Sequence, residues 1–350
     1  MKHYSVIIVG GGPAGSSVAH HLMFNQKITS ALLIEGRNDS SFSKYHQMCA
    51  EGISRKGLME TGLEISGLVK NEVTRAIEYW PGNITIDSEI DGLIIDREKL
   101  ISKLRESFTV KGGEIGSGRV SKIGHSGSGF TVEISEDEYS CDYLVGADGA
   151  HSVIRRDVFH SEPIAYMKVI QYLIDKPMDN SLRFKFDERY RGKYRWEFPS
   201  GNLSKVGFPF GTDDPPEDVV DVHGRSIPVG HLDRIVNGQA CLVGDAACQA
   251  NPVTFSGIRN SLKAGYVAAE AIAAGDLHEY QQMWDQSYQA DLSFLNSYLL
   301  IRDQTNDELR ELMEPFRHGM SMTRVMGELM KSEDFRVFYR AFVRKMQYGW

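Results

Sequence analysis

Two stretches carry residue types whose spacing could do chemistry. Residues 4–23 read YSVIIVGGGPAGSSVAHHLM, with Gly10, Gly12 and Gly15 in a G-x-G-x-x-G pattern. The first glycine allows a tight turn, the second lets backbone approach a pyrophosphate, and the third lets helix and strand pack closely. A helix opening there, with Pro13 and Ala14 in its first turn, turns free N–H groups and the positive end of its dipole toward phosphates. Glu35 ends the next apolar run, ALLIE, 20 residues after Gly15. An acid at that place accepts hydrogen bonds from an adenosine ribose. The pattern alone does not separate FAD from NAD. The second stretch, residues 194–199, reads YRWEFP. In a strand Tyr194, Trp196 and Phe198 share one face, and Arg195 and Glu197 the other. The row of rings is either core or the wall of a site for a long apolar ligand.

These residues need particular elements to position them. Ser5–Val9 is a short β-branched run that reads as a buried parallel strand, and Ala14, Val18, Ala19 and Leu22 follow at helical spacing. Strand, glycine turn and helix in that order give the glycine pattern its context. Residues 95–115 carry an amphipathic helix with Leu100, Ile101, Leu104 and Phe108 on one face. Residues 117–147 alternate around a Gly-Ser turn, which predicts an antiparallel ribbon returning to the main sheet. The acidic segment 211–224, GTDDPPEDVVDVHG, reads as a short loop.

Composition narrows the classes. A chain of 350 residues, 41% hydrophobic and 25% charged, has the makeup of a globular protein of one large or two ordinary domains. The formal net charge of -8 argues against general nucleic-acid binding, because phosphates are repelled. Four cysteines, Cys49, Cys141, Cys241 and Cys248, form no CxxC pair, so neither a zinc cluster nor a disulfide framework is expected and no metal is assigned. A reducing cytoplasm fits that cysteine usage. No run of about 18 apolar residues occurs, so contact with a membrane would be peripheral. Residues 331–350 carry Lys331, Arg336, Arg340, Arg344 and Lys345 interleaved with Phe335, Val337, Phe338, Phe342 and Val343. Such a helix either lies in a membrane interface or packs on its own protein.

Two further motifs choose the cofactor. DYLVGADGAHSVIRR at 142–156 runs a strand into Asp148 and Gly149, and CLVGDAACQANPVTFSGIRNSLKAG at 241–265 runs another into Gly244-Asp245. With the N-terminal motif they resemble the three motifs of FAD enzymes related to p-hydroxybenzoate hydroxylase, over residues 4–270. An Asp just past a strand can accept a ribityl hydroxyl. Gly257 and Ile258 open a helix whose N–H groups would face an electron-rich flavin edge.

CAEGIS at 49–54 and YRWEFP narrow the resemblance to the geranylgeranyl reductase family, flavoenzymes that saturate isoprenoid chains. The resemblance implies that Cys49 and Ala50 lie at the flavin, with Cys49 relaying a proton or shaping the pocket. It adds Arg97, Val120 and Pro252 to the cofactor contacts. It sets Tyr194, Trp196, Phe198, Pro199 and Gly207 in the wall of a tunnel over the flavin, and favours the tunnel over the core reading of the rings. His46, three residues before Cys49, reads as solvent-facing, and Cys141, Cys241 and Cys248 as packing residues. Two departures bear on the substrate: the usual GxG after the signature is Gly207-Phe208-Pro209, and Phe255 stands where relatives often carry glycine.

The expected architecture is an α/β chain with α+β elements: a Rossmann-type FAD-binding domain from 1–160 and 225–275, an antiparallel-sheet substrate domain from 161–224 with 70–95 contributing, and a helical region at 276–350. The expected activity is reduction of C=C bonds in a geranylgeranyl or polyprenyl lipid, using FAD, with NADPH or ferredoxin as electron donor. Two alternatives stand beside it. An aromatic-ring monooxygenase would share the fold but take a compact polar substrate. A prenyl-binding protein without flavin, like the GDP-dissociation inhibitors, would not need Gly244-Asp245.

Overall fold

The β-branched runs at the start of the chain, too short for helices and flanked by glycine, pair as parallel strands in the computed structural model. It describes residues 1–350 except 25–27, 48, 65, 128, 320, 321, 349 and 350. One sheet runs in the order Val236–Asn237, Ala240–Leu242, Asp137–Gly146, Lys2–Val9, Ala31–Glu35, Glu114–Ser117. Its central pairs are parallel, and Val9 lies in register with both Ile34 and Gly146. Leu242 is in register with Gly146 on the far side. The carboxyl ends of all three motif strands therefore meet at one edge, where ligands bind in sheets of this kind. The expected ribbon is Val120–Ser126, Gly129–Ile134 and Asp137–Gly146, antiparallel.

Helices Pro13–Leu22 and Ile258–Ala274 cross this edge in contact. The Ser17 hydroxyl donates to the Leu262 carbonyl at 2.8 Å. A methyl group at Gly265 would come within 2.6 Å of Ser17 Cβ, so only glycine permits the approach. Helix Arg97–Val110 buries Leu100, Ile101, Leu104 and Phe108, the face its spacing predicts.

The second sheet stands over the same edge, in the order Val219–Val229, Ala165–Ile174, Leu203–Pro209, Arg195–Ser200, Ser181–Lys185, Val69–Trp80, Ile84–Ile95, Gly52–Ser54. All pairs are antiparallel except Ser181–Lys185 with Val69–Trp80. Residues 211–218 of the acidic segment form the expected loop, but 219–224 depart from that reading. Val219–Val229 is an 11-residue edge strand, since its valines and isoleucine pair along Ala165–Ile174 while its acids stay at the rim.

The chain ends in helices Leu292–Arg302, Asn306–Met313, Met322–Lys331 and Glu333–Tyr348. The last of these packs on its own protein. Phe335, Phe338 and Ala341 are buried, the two rings in a cluster with Trp80, Ile84 and Phe316. Arg344 pairs with Asp291 at 2.9 Å, and Lys345 with Glu78 at 2.6 Å. Its apolar face is thus used internally, against the interfacial reading. The side chain of Lys331 lies outside the described residues. Among the described residues no helix is long and apolar enough to cross a membrane.

Candidate active site

One continuous cavity of about 900 Å³ lies between the two sheets. It reaches from the glycine turn at 10–14, past Cys49, to Phe316, Phe342 and Lys345 near the terminal helix. That volume is at the upper end for a ligand site, enough for a cofactor and a substrate together.

The glycine end of the cavity is shaped by close backbone approach. Gly10 has φ +104°, and a Cβ there would meet the Ala147 carbonyl oxygen at 2.3 Å. A Cβ on Gly15 would meet the Gly10 oxygen at 1.9 Å, which brings the helix start hard against the turn. Helix Pro13–Leu22 begins with Pro13 and has no side-chain cap, so its first N–H groups stay available. Gly10, Gly12, Pro13 and Ala14 line the cavity, whereas Gly15 sits behind them as packing.

Glu35 is buried but does not line the cavity. Its carboxylate accepts the Arg37 N–H at 2.9 Å and pairs with Arg105, whose Nη2 also donates to the Gly11 carbonyl at 2.9 Å. A buried carboxylate needs such a partner. Arg105, far along the helix from Arg97, was not legible in the motifs.

Asp148 and Gly149 reach the cavity, and so do Asp245, Gly257 and Ile258. Asp148 caps helix Val153–Phe159 through the Val153 and Ile154 N–H groups at 2.6 and 3.3 Å. Burial raises its pKa, against those hydrogen bonds. Asp245 faces Arg225 at 3.3 Å, and Gly257 leaves helix Ile258–Ala274 without a side-chain cap. Gly244 does not line the cavity. With φ +67° it packs under Ala14, whose Cβ would be 2.7 Å from a Cβ added there. Pro252 and Val120 are also outside the lining, because Val120 opens the outer ribbon and Val253 takes the inward position after Pro252.

Around Cys49 the turn is held by charge. Glu51 is 0% exposed with φ 64°. Its carboxylate receives Lys205 Nζ at 2.6 Å, Lys70 Nζ at 2.8 Å and the Arg97 N–H at 3.2 Å. Lys205 also donates to the Cys49 carbonyl at 2.7 Å, and burial holds its pKa below the ordinary lysine value. Arg97 is buried and lines the cavity, with its guanidinium on the carbonyls of His46 and Tyr45 at 2.9 and 3.0 Å. Cys49 and Ala50 line the cavity beside these cations. His46 is not solvent-facing. It is 1% exposed in the wall between Phe42 and Tyr45, and neither ring nitrogen has a partner among the described residues. Burial, then the charges of Arg97 and Arg225, push its pKa far below the usual histidine value. The other three cysteines are buried, their pKa values pushed up to about 12 by burial.

The aromatic strand does both things its row of rings allowed. Tyr194, Trp196 and Phe198 all line the cavity. Phe198 also joins a small core with Val73, Ile94 and Leu182. The Tyr194 hydroxyl donates to the Thr254 carbonyl, and its ring meets Phe184, Phe186 and Phe255 at 5.2, 5.6 and 5.7 Å. Phe255 lines the cavity with φ 51°. Arg195 and Glu197 pair at 3.1 Å on the opposite face. Pro199 and Gly207 are not in the lining. Gly207 lies beneath the Trp196 ring, and Pro199 is near the turn end of its hairpin, in register with Ser204.

The comparisons with known proteins fit this geometry. A crystal structure described as a geranylgeranyl bacteriochlorophyll reductase-like protein of Thermoplasma acidophilum superposes with TM-score 0.79 at 19% identity, over 98% of this chain and 100% of its own. The flavin-dependent brominase Bmp2 superposes with TM-score 0.69 at 16% identity, over 99% and 93%. A family profile described as lycopene cyclase protein matches residues 5–161, from the first strand through the helix after Asp148. The fold is the one these flavin-dependent and reductase-like proteins share. In sequence the chain is similar to geranylgeranyl reductases, as its motifs indicated. Digeranylgeranylglycerophospholipid reductase 2 of Methanopyrus kandleri is 28% identical over 93% of this chain and 93% of its own length.

Proposed function

We propose that this protein is an FAD-dependent reductase that saturates C=C bonds of a geranylgeranyl or longer polyprenyl chain in membrane-lipid synthesis. The observation that carries the reading is the single cavity joining the glycine turn, Cys49 and the aromatic strand. A prenyl tail of about 20 carbons gains on the order of 16 kcal/mol by leaving water, and a bilayer offers it nearly as much. The cavity therefore only has to match lipid, which the rings of Phe184, Tyr194, Trp196, Phe186 and Phe316 do. The reductases named for digeranylgeranylglycerophospholipid align over most of the chain and support the substrate class.

The residues present fit FAD. The tight backbone at Gly10 and Gly15 leaves the turn open at Gly12, where a pyrophosphate would approach, and the uncapped N–H groups of helix Pro13–Leu22 would bind it. Asp245 would accept from the ribityl chain, and the start of helix Ile258–Ala274 would face the flavin edge. Glu35, turned from Arg105, would meet the adenosine ribose. When bound and reduced, flavin supplies a hydride to one alkene carbon. The other carbon needs a proton, and the Cys49 thiol is the donor at the cavity wall. Lys205 and Glu51 hold the Cys49 turn in place. The rings exclude water and shelter positive character on carbon through their negative faces. NADPH and a ferredoxin both remain candidates for the electron donor. The terminal helix, packed on Trp80, leaves peripheral membrane contact to some other part of the surface.

The test is anaerobic turnover of dithionite-reduced protein with prenyl lipids, read by mass. Products heavier by whole hydrogen molecules are expected. Unchanged lipid in the presence of fully reduced flavin would overturn the reading.

A further inference from the structure

The open side of the glycine turn has a wall that the motifs do not account for. Outside its own turn, a Cβ built on Gly12 would meet one atom within 4 Å among the described residues, His46 Cε1 at 3.9 Å. The imidazole thus borders the space into which the first N–H groups of helix Pro13–Leu22 open. It is held there from two sides. Its ring packs on Phe42 and Tyr45, with centroids 4.3 and 5.1 Å away. The Arg97 guanidinium fixes the backbone beneath it through the carbonyls of His46 and Tyr45. His46 lines the cavity and is buried, yet neither Nδ1 nor Nε2 has a partner among the described residues. Buried polar atoms are almost always satisfied, and two exceptions on one ring at a cavity wall call for a ligand that completes them.

The surroundings select that ligand. Arg37, Arg97 and Arg225 line the same cavity, and Arg37 and Arg225 both lie over the Tyr45 ring, 3.6 and 5.0 Å from its centroid. The buried Arg97 guanidinium bonds carbonyl oxygens and pairs with no carboxylate among the described residues. A buried cation without a countercharge is costly, and a bound anion removes that cost. The helix N-terminus adds its own positive end. A further full charge is unwelcome here. Burial, then Arg97, Arg225, Arg105 and Arg37, hold the His46 pKa far below the usual histidine value, so the ring is neutral with one N–H and one lone pair. A pyrophosphate supplies the acceptor for that N–H, and the sugar hydroxyls joined to it can donate to the lone pair. A prenyl chain completes neither.

We propose that His46 is a ligand of the cofactor's pyrophosphate, closing the phosphate site across from helix Pro13–Leu22 and donating a ring N–H to a phosphate oxygen. The proposal rests on the FAD reading and adds to it a contact from outside the glycine motifs. It also gives Arg97 a positioning part, since its grip on the Tyr45 and His46 carbonyls sets where the imidazole stands. The phosphate site and the Cys49 turn, three residues further on, are then built from one segment.

The test uses the apoprotein, freed of flavin, and FAD as the ligand. Binding is followed by the change in flavin fluorescence. His46→Leu should bind FAD about ten- to hundredfold more weakly than the wild type, as expected for loss of a hydrogen bond to a charged group. His46→Gln keeps an N–H donor and should recover most of that loss. A second measurement needs no change of affinity. In nitrogen NMR spectra of the wild type, the imidazole signals that are missing in His46→Gln should move when FAD is added. Equal affinity in all three proteins, a glutamine variant as weak as the leucine one, or imidazole signals that stay in place would each overturn the contact. A wild type that binds FAD without moving those signals removes His46 alone. If the wild-type apoprotein binds no FAD, the flavin reading itself fails and the contact falls with it.

Discussion

The indole of Trp196 lies over the bare Cα of Gly207, its cross-strand partner: a Cβ built on Gly207 would come within 2.0 Å of the ring. Glycine there makes room for the ring rather than touching a ligand. Gly207→Ala should push Trp196 out of its place in the wall and cost about 1 to 3 kcal/mol of stability through overpacking. Thermal melting checks this, and a wild-type melting temperature with unchanged turnover would remove the coupling.

Trp196→Ala separates wall from core. A ring buried on all sides leaves a cavity worth about 3 to 5 kcal/mol when removed. Trp196 is only half-buried and faces existing space, so a smaller loss is expected, together with a shift in selectivity toward short prenyl chains. Melting temperature and chain-length profile should be read on one preparation. A full core-sized loss with an unaltered profile would make the strand ordinary core.

Cys49→Ser should retain flavin and slow alkene reduction by roughly 10²- to 10⁴-fold, the worth of a positioned proton donor. Single-turnover reduction of lipid without oxygen is the measurement. A rate equal to wild type would leave the thiol as pocket wall.

Glu51 and Lys205 form a buried pair 2.6 Å apart beneath Cys49. Glu51→Gln strands Lys205 without its countercharge and should destabilise by about 3 to 5 kcal/mol. Adding Lys205→Met should recover most of that in urea unfolding. A double variant as unstable as the single one would show that the pair matters for another reason.

Glu35→Ala should weaken FAD binding by about 1.5 to 3 kcal/mol if the carboxylate bonds a ribose hydroxyl. Equilibrium dialysis of the apoprotein measures it. Unaltered affinity would confine Glu35 to its ion pair with Arg105.

His46 gives a pH dependence. Its unfolded pKa is near 6.5, while burial holds the folded value far lower. Below about pH 6.5 the unfolded chain takes up a proton that the fold refuses, so stability falls as pH falls, by up to about 1.4 kcal/mol per pH unit for this group. His21, pushed down to about 4 by burial, adds to the slope between those values. His46→Gln should flatten the fall seen in urea unfolding at acid pH. An equally steep fall would assign it to other groups.

The glycine turns, the strands that feed them and the helix faces were readable in the chain because each is local. A β-branched run of five residues ending in glycine can only be a buried strand, and alternation alone puts Tyr194, Trp196 and Phe198 on one face. The edge strand Val219–Val229 is not legible locally, because its acids and glycine outweigh its valines until a neighbour supplies the pairing. The burial of His46 is not legible either, since it depends on Phe42, Tyr45 and the glycine turn closing around it.

The sequence by itself determined the cofactor-type fold, the order of its motifs and the ring row, all set by spacing along the chain. The tertiary structure alone decided which of those residues reach the cavity. Gly10 and Ala14 do, but Gly15 and Gly244 serve the close packing behind them. It alone joined Glu51 to Lys205, a pair separated by 154 residues. The physical reason is that a local pattern fixes which way a side chain points from its own strand. What that side chain meets is set by strand order and register, and these belong to the whole sheet.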